Sequence, residues 1–399
     1  MRNVLILDTP SRFTRFGGEQ RIAGLLYRGL KRRFKTFYLG SETGYLKADL
    51  NTFMLPHVEG GKRSAIYDNT LVRMAYYFVY IRGLKFLKGY RENLVAWTGR
   101  IKPQVIIDNS VQDYRLSLFI KRHAPGAKRI YIDHGSISTL RGGSVLHGHN
   151  IPLSIGTGLS GATVEGLKRK FLSSYDLCVA LNLEQFREMK RYAAKVAYIP
   201  NGIERPIRVT SQQKQRLMER YGIAKGDFVV LNIGRMFERQ KNIGSLIRAF
   251  MKLKGERLKL VLVGTGPDLA EYRQLARPDG RIVFVDPLSE ENLSAMYEIA
   301  GMFVLPSIWE GLPLTLLEAA NHALPIVISE NIYFEDFKKK GIKLDTFDPY
   351  NIEEIRDAIA AYSRSRSKRE AASRESERLG QAFSLEAMLR NYSSAINRL

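Results

Sequence analysis

Two glutamates in the second half of the chain, Glu310 and Glu318, are spaced so that they could hold one ligand from two sides. Gly311 to Pro313 between them predicts a helix start, and the free backbone N–H groups of a helix N-terminus suit a phosphate. Carboxylates beside that phosphate would accept hydrogen bonds from hydroxyl groups. The pattern favours a ligand with phosphate in the middle and hydroxyl-bearing rings at both ends; the alternative is two solvated glutamates near a helix.

Two cations occupy an earlier loop. Gly234-Arg235 follows a predicted strand, and Lys241-Asn242 precedes a predicted helix. Arginine binds phosphate as a planar fork and lysine as a point charge, so both suit a diphosphate whose negative charge grows as it leaves. Arg239 competes with Arg235 for the arginine role.

The run from Glu310 to Ala319, EGLPLTLLEA, resembles the E-x7-E motif of the retaining, nucleotide-sugar-dependent glycosyltransferases of GT-B fold, family 4. In that family the first Glu faces the donor sugar and the second holds the ribose. The Arg235 to Lys241 loop is similar to the family's Gly-Arg...Lys motif, although the family usually places Lys five residues after Arg and here it is six.

The resemblance implies a set of catalytic and a set of donor-binding residues. The catalytic residues are Glu310, His134, Arg235 and Lys241. The donor-binding residues are Gly17, Gly18, Gly234, Gly264, Leu288, Gly311, Leu312, Pro313, Leu314 and Glu318.

Transfer with retention is expected to follow front-face attack, in which a phosphate oxygen takes the proton of the acceptor hydroxyl. Arg235 and Lys241 would stabilise the leaving diphosphate, while His134 would contact the sugar or the developing charge. Since no Asp-x-Asp triplet or His/Cys ligand cluster occurs, neither a catalytic metal nor a cofactor is predicted; the nucleoside-diphosphate sugar is a substrate.

The sequence pattern of the first half of the chain indicates alternating strands and helices, and this alternation predicts a parallel sheet. A glycine pair, Gly17-Gly18, lies between the strand 4–7 and a helix predicted over 19–33, where glycine allows close approach of a phosphate. His134 directly follows the strand 130–133, at the sheet edge where such folds bind ligands. The alternative is that His134 only caps this strand.

The second half repeats the alternation, with strands predicted at 228–233, 258–263, 282–285 and 302–305. We therefore predict an α/β fold of GT-B type, with two Rossmann-like βαβ domains facing each other across a cleft. The predicted domains are an acceptor-binding domain at 1–200, a donor-binding domain at 201–380 and a final helix, 381–399, that crosses back to the first domain. Pro200-Asn201-Gly202 marks the boundary by its turn-forming residues.

Three further segments have expected roles. Gly264-Thr265-Gly266 predicts a tight turn near the nucleotide, and the backbone from Asp286 to Leu288 is expected near the base by the resemblance. A Gly/Ser/Thr-rich stretch, 135–166, predicts a loop over the acceptor site. The tail at 364–378 alternates charges and predicts a solvated helix.

Composition limits the class of protein. A chain of 399 residues suits two or three domains, and one cysteine, Cys178 in an apolar run, excludes an internal disulfide and fits a reducing compartment. The N-terminal apolar run is too short for a signal peptide, and no apolar stretch approaches a membrane span. The expected location is cytoplasmic, at most peripheral on the inner face of the membrane.

The formal net charge of +22 is concentrated in the first half. Residues 1–200 hold 32 Lys+Arg against 14 Asp+Glu, a difference of +18, and residues 201–399 hold 30 against 26, a difference of +4. Within 62–102, basic residues flank an aromatic and aliphatic face, which suits contact with an anionic membrane; the alternative is a core helix with a solvated basic face. Nucleic acid is not an expected partner, because no recognised motif accompanies the charge.

The predicted function is transfer of a sugar, of hexosyl type, to a hydroxyl acceptor that is a glycan, a polysaccharide or a lipid-linked molecule. A GT-B-like nucleotide-sugar epimerase is the alternative within the enzymes. From other classes, a basic nucleic-acid-binding protein and a catalytically silent lectin-like scaffold stay open. The sequence does not specify donor base, sugar or acceptor.

Overall fold

The computed structural model describes residues 1–8, 17–41, 46, 48–55, 85–109, 114–134, 161–332 and 334–399. The chain divides into two compact units, one of Met1–Pro200 with Leu389–Leu399 and one of Asn201–Met388. Each unit has its own parallel sheet and its own buried apolar residues.

The first unit is built on seven described strands: β1 (Asn3–Leu7), β2 (Lys35–Ser41), β3 (Thr52–Leu55), β4 (Val105–Asp108), β5 (Lys128–Asp133), β6 (Leu177–Ala180) and β7 (Val196–Tyr198). Its described helices are α1 (Gly18–Leu30), α2 (Lys85–Ile101), α3 (Tyr114–His123), α4 (Gly161–Leu172) and α5 (Leu183–Lys190). The strands pair in parallel in the order β3-β2-β1-β4-β5-β6-β7. Short, fully buried apolar runs form the central strands, because a parallel sheet covered on both faces leaves no polar side.

The second unit has six described strands: β8 (Phe228–Ile233), β9 (Leu258–Val263), β10 (Ile282–Val285), β11 (Met302–Leu305), β12 (Ile326–Ser329) and β13 (Asp345–Phe347). Its described helices are α6 (Ser211–Arg220), α7 (Glu238–Lys241), α8 (Ile243–Met251), α9 (Leu269–Ala276), α10 (Glu290–Ile299), α11 (Leu314–Asn321), α12 (Glu335–Lys339), α13 (Ile352–Arg364) and α14 (Arg366–Ala382), with a 3-10 turn at Glu330–Ile332. The last helix, α15 (Leu385–Asn397), begins before Met388 and ends within the part of the chain grouped with the first unit. The strand order is β10-β9-β8-β11-β12-β13, again parallel throughout.

Both sheets change direction of winding at one place. In the first unit the order reverses between β1 and β4, and in the second between β8 and β11. Doubly wound sheets bind ligands outside the carboxyl ends of their strands at such a switch point. The residues that follow β1, β4, β8 and β11 are therefore candidates for a ligand-binding site.

Most predicted strands have the observed bounds, including 228–233, 258–263, 282–285 and 302–305. Strands β2, β3 and β13 were not predicted, nor was α6, which begins with a capping box between Thr210 and Gln213. Strand β13 lies at a sheet edge and has one buried residue, Phe347, so its sequence contains no apolar run.

The helix predicted at 364–378 is present as α14, but one of its faces is not solvated. Helix α14 buries Ser376, Leu379 and Gly380. The hydroxyl groups of Ser373 and Ser376 donate to the carbonyls of Ala323 and Leu324, both at 2.7 Å. Small residues make this contact, so the helix packs closely without the apolar stripe that sequence patterns detect.

Two predicted segments are described only in part. Residues 62–84 of the basic aromatic segment lie outside the described residues, and α2 at its end buries Leu94 and Ile101 in the core of the first unit. Residues 135–160 of the predicted acceptor loop also lie outside. In the described part of the chain, no helix is both long and apolar enough to cross a membrane.

Candidate functional site

The switch point of the second unit brings together one cation and one carboxylate from the predicted set. Lys241 ends α7 in the loop after β8, and Glu310 lies in the loop after β11. Their Nζ and Oε1 atoms are 2.5 Å apart, with only 14 % and 8 % of the two side chains exposed. Gly234 lies against the same lysine, since a Cβ there would be 3.5 Å from Lys241 Cε. The structure thus joins three residues that are distant in sequence into one cluster.

Asn242 holds the two loops together. It adopts a left-handed conformation with φ of 50°, which asparagine tolerates better than most residues. Its Nδ2 donates to the carbonyl of Pro349 at 2.6 Å and to that of Pro306 at 3.3 Å. The backbone N–H of Ile308 donates to the carbonyl of Gln240 at 2.8 Å. These hydrogen bonds fix the backbone on both sides of Lys241 and hold its side chain beside Glu310.

The two arginine candidates differ in burial. Arg235 is half-buried directly after Gly234, whereas Arg239 is exposed on α7. Within the described residues neither side chain has a hydrogen-bond or ion-pair partner. Each is thus available to an anion, and Arg235 stands nearer to the end of β8 in the chain.

Gly264 and Gly266, in the predicted turn after β9, allow this loop to pack closely against the loop after β8. Gly264 has φ of +142°, and a Cβ there would lie 2.0 Å from the carbonyl oxygen of Gly234. A Cβ on Gly266 would lie 2.3 Å from the carbonyl oxygen of Met236, whose N–H donates to Thr265 O at 2.9 Å. Both glycines therefore allow the loop after β9 to support the loop that begins at Gly234.

We expect Gly264→Ala to lower the free energy of unfolding by roughly 3 kcal/mol, from backbone strain and collision with a carbonyl. Gly280→Ala is the matched control, because a Cβ at position 280 meets nothing within 4 Å. Chemical unfolding of both variants measures the difference. Equal stabilities would contradict the role of Gly264 as a contact residue.

The second glutamate has a different setting from the first. Glu318 lies on α11, is 5 % exposed, and accepts a hydrogen bond from the hydroxyl of Tyr297 at 2.7 Å. Helix α11 begins at Leu314 with Pro313 as its N-cap, directly after the predicted start residues, and ends at Asn321. The residues leading into it, Gly311 and Leu312, are buried.

Sequence reasoning missed a function of Asn201. The sequence predicts only a boundary turn at this residue, whereas its buried Nδ2 donates to the carbonyl of Leu312 at 2.9 Å and so fixes the entry to α11. Its own Oδ1, Ser307 Oγ and Trp309 Nε1 are buried without a hydrogen-bond partner. Because buried polar groups are usually paired, the loop that carries Ser307, Trp309 and Glu310 is incompletely satisfied by the protein.

Leu288 follows β10, at the same carboxyl edge of the sheet, and is half-buried. The strand end is joined to the glycine turn, because the N–H of Gly264 donates to the carbonyl of Val285 at 2.9 Å. The backbone after β10 is therefore placed beside the loops that carry Gly234 and Gly264.

The first unit has a polar cluster at its own switch point. Asp8, Asn109 and His134 each directly follow a strand: β1, β4 and β5, respectively. Asn109 Nδ2 is 3.3 Å from Asp8 Oδ1 and 2.8 Å from the carbonyl oxygen of Glu19, in the first turn of α1. Asn109 Oδ1 is 3.1 Å from His134 Nε2. One amide thus connects His134 with the helix start that carries Gly18.

Neither Asp8 nor Asn109 was among the predicted site residues. The signal was present, because both directly follow apolar strand runs, as His134 does. The loop between Asp8 and Gly17 lies outside the described residues at 9–16. Gly17 is the N-cap of α1 and accepts from the N–H of Arg21 at 3.1 Å.

Burial lowers the pKa of His134 from 6.5 to about 4, although the neighbouring Asp133 carboxylate opposes the shift. The ring is therefore neutral at pH 7. The unfolded chain binds a proton at this residue below pH 6.5, whereas the folded chain does so only near pH 4. Stability contributed by neutral His134 is accordingly lost as the pH falls through this window.

We expect His134→Gln to reduce the loss of unfolding free energy between pH 7 and pH 4 by about 2 kcal/mol, a value discounted for partial exposure. Chemical unfolding of wild type and variant at both pH values measures it, and the titrating carboxylates cancel in the comparison. The same pH dependence in both proteins would contradict a lowered His134 pKa.

No group of three or more His, Cys, Asp or Glu residues in the described ranges could hold a metal ion. The cluster at the second switch point offers instead a cation, a carboxylate and glycine backbone beside a helix N-terminus. That chemistry suits a phosphate group bonded to a polyhydroxyl ring.

Comparison with known proteins gives a family match and relatives. Residues 213–379 match the family model described as glycosyl transferases group 1. EpsF of Bacillus subtilis (strain 168), which carries a provisional glycosyltransferase name, is 33 % identical over 142 residues, 35 % of this chain and 37 % of that protein. Alpha-monoglucosyldiacylglycerol synthase of Acholeplasma laidlawii is 27 % identical over 160 residues, 38 % of this chain and 40 % of that protein. The matches therefore span well under half of these relatives.

Among solved structures, Anabaena HepE in complex with UDP and glucose has a TM-score of 0.70 at 13 % identity, with 100 % of both chains covered. A likeness at this identity shows the fold. Together with the two parallel sheets, it confirms the predicted α/β fold of GT-B type with two Rossmann-like domains. The cleft between the domains stays a prediction.

Proposed function

We propose, from the match of residues 213–379 to the glycosyl transferases group 1 model, that the chain belongs to this family and transfers a sugar from a nucleoside-diphosphate sugar to a hydroxyl acceptor with retention. The observation that carries this proposal is the buried contact between Lys241 and Glu310 at the switch point of the second unit. It provides one group for a phosphate and one for sugar hydroxyls within a single cluster.

The donor is proposed to bind at the carboxyl ends of β8 to β11. Lys241 and Arg235 would meet the diphosphate, with Gly234 and Gly264 allowing the backbone to come close. Glu310 would accept hydrogen bonds from the sugar, and Glu318 would hold the ribose by the family resemblance. The base would lie near Leu288. A donor that bridges these positions would also offer partners to the unpaired Ser307 and Trp309 side chains.

In the reaction the bond between the anomeric carbon and the diphosphate oxygen breaks, and a bond to the acceptor oxygen forms on the same face. The acceptor proton goes to an oxygen of the leaving diphosphate. Lys241 and Arg235 stabilise the charge that builds there, which is the role of fixed cations in such transition states. Glu310 orients the sugar, and the neutral ring of His134 is proposed to contact the sugar or its phosphate.

The acceptor is proposed to be a glycan or a lipid-linked molecule. One relative is named as a diacylglycerol-lipid synthase, which supports a lipid acceptor. The excess of +18 in residues 1–200 supports an anionic membrane surface as a partner of the basic N-terminal half. We propose a location at the cytoplasmic face of the membrane, with nucleic acid not a partner.

A screen of UDP, GDP and ADP sugars tests the function. We expect one nucleotide class to raise the melting temperature, and its sugar to be transferred with retained anomeric configuration when a lipid or glycan acceptor is added. The same assay without acceptor separates the alternatives, since an epimer would indicate an epimerase. If no nucleotide sugar stabilises the protein or is consumed, the proposal fails.

A further inference from the structure

The hydrogen bonds around Asn109 determine which way its amide points. Its Nδ2 lies within hydrogen-bond distance of Asp8 Oδ1 and of the backbone carbonyl of Glu19. A carboxylate and a carbonyl only accept, so the NH2 group must face them. The opposite orientation would place an oxygen against two acceptors.

The orientation of the amide determines the tautomer of His134. The remaining atom, Asn109 Oδ1, lies 3.1 Å from His134 Nε2 and can only accept. The imidazole must therefore carry its proton on Nε2. A neutral ring then has a lone pair on Nδ1, which can accept a hydrogen bond.

We propose that Asn109 is a positioning residue that holds His134 in the Nε2–H tautomer, so that Nδ1 accepts a hydrogen bond from a hydroxyl of the donor sugar or of the acceptor. The inference deepens the proposed function and depends on it for the identity of the ligand. The assigned tautomer does not depend on it.

Asp8 helps to fix the orientation of the Asn109 amide. It is fully buried and also accepts from the hydroxyl of Tyr38 at 2.9 Å, so its carboxylate is held in place. The hydrogen bonds from Tyr38 in the middle of β2 lead through Asp8 and Asn109 to His134, the three residues that follow β1, β4 and β5. The same amide holds the first turn of α1, so one side chain sets both His134 and the helix start after Gly17-Gly18.

15N NMR of protein labelled in histidine distinguishes the two tautomers of His134. The His134 signals are assigned by their loss in His134→Gln. We expect Nε2–H in wild type and a mixture of tautomers in Asn109→Ala. Glycosyl transfer by Asn109→Ala should fall roughly 10- to 100-fold, the size expected for one strong hydrogen bond. Binding of UDP, GDP or ADP, whichever stabilises the wild type, should change less than about twofold, because those contacts belong to the second unit.

Chemical unfolding of Asn109→Ala separates positioning from general damage. We expect this variant to unfold cooperatively and to keep the nucleotide affinity of the wild type, so that its tautomer is measured in a folded protein. The loss of one side chain that binds Asp8, Glu19 and His134 is then the cause of the changed tautomer.

Asn182→Asp is the matched control. Asn182 is 2 % exposed in the same unit, and its side-chain oxygen caps α5, a role that aspartate keeps. We expect no change of tautomer in this variant. An unchanged Nε2–H tautomer in folded Asn109→Ala would overturn the positioning role. Failure of the wild type to transfer any sugar would reject the proposed function instead, and the tautomer series would still decide the role of Asn109.

Discussion

Glu310→Gln is expected to lower the rate of sugar transfer by about 10²- to 10³-fold and at the same time to tighten binding of the free nucleoside diphosphate by roughly 5- to 10-fold. The first effect follows because the amide is a weaker acceptor for sugar hydroxyls than a carboxylate. The second follows because Lys241 is now paired with Glu310 at 2.5 Å. Removing the carboxylate frees the lysine for phosphate and removes a negative charge beside it.

Steady-state kinetics and calorimetry with the nucleoside diphosphate measure the two effects in one variant. The pair Lys214 and Glu298 supplies the control, since these side chains are 34 % and 32 % exposed at 3.0 Å. Exposed pairs contribute little, so Glu298→Gln should change neither quantity. Transfer at the wild-type rate would remove Glu310 from the sugar site. Weaker binding of the diphosphate would show that Lys241 is not shared between carboxylate and phosphate.

Lys241→Met is expected to lower transfer by about 10²- to 10³-fold and to lower the free energy of unfolding by about 3 kcal/mol. Methionine keeps the length and apolar stem of the side chain but removes its charge. The leaving diphosphate then loses a fixed cation. Glu310, only 8 % exposed, is left as a buried charge without its partner.

The double variant Lys241→Met with Glu310→Gln separates these two losses. We expect it to recover most of the stability, because no buried charge is left unpaired, and to recover none of the activity. Lys214→Met is the matched exposed control and should change stability by less than about 0.5 kcal/mol.

If Lys241→Met is as stable as wild type, the ion pair is not desolvated. If it transfers sugar normally, another cation meets the diphosphate, and Arg239→Met identifies whether that is Arg239.

A good part of the fold could be predicted from the sequence. Strands β8, β9, β10 and β11 were predicted with their observed bounds, because buried parallel strands are short apolar runs between turn residues. Strands β2, β3 and β13 and helix α6 were not predicted. For α14 the helix was predicted, but its buried face was not, because small residues such as Ser373 and Ser376 make the contact.

For the candidate site, the sequence indicated residue types but not their partners. Glu310 was predicted to face a sugar, and its contact with Lys241 was not foreseen. The two positions are 69 residues apart, and nothing in either local pattern refers to the other. Gly264 was predicted as a turn near the nucleotide, whereas the structure shows that it supports the loop of Gly234.

By itself the sequence determined where strands end and which reactive side chains follow them, since hydrophobic runs and turn residues act over a few positions. Only the tertiary structure decided which of those ends lie side by side. The order β9-β8-β11 places the loops of Gly234 and Glu310 together, and the order β1-β4-β5 places Asp8, Asn109 and His134 together. Strand order depends on how whole elements pack their buried faces, and that is a property of the assembled sheet.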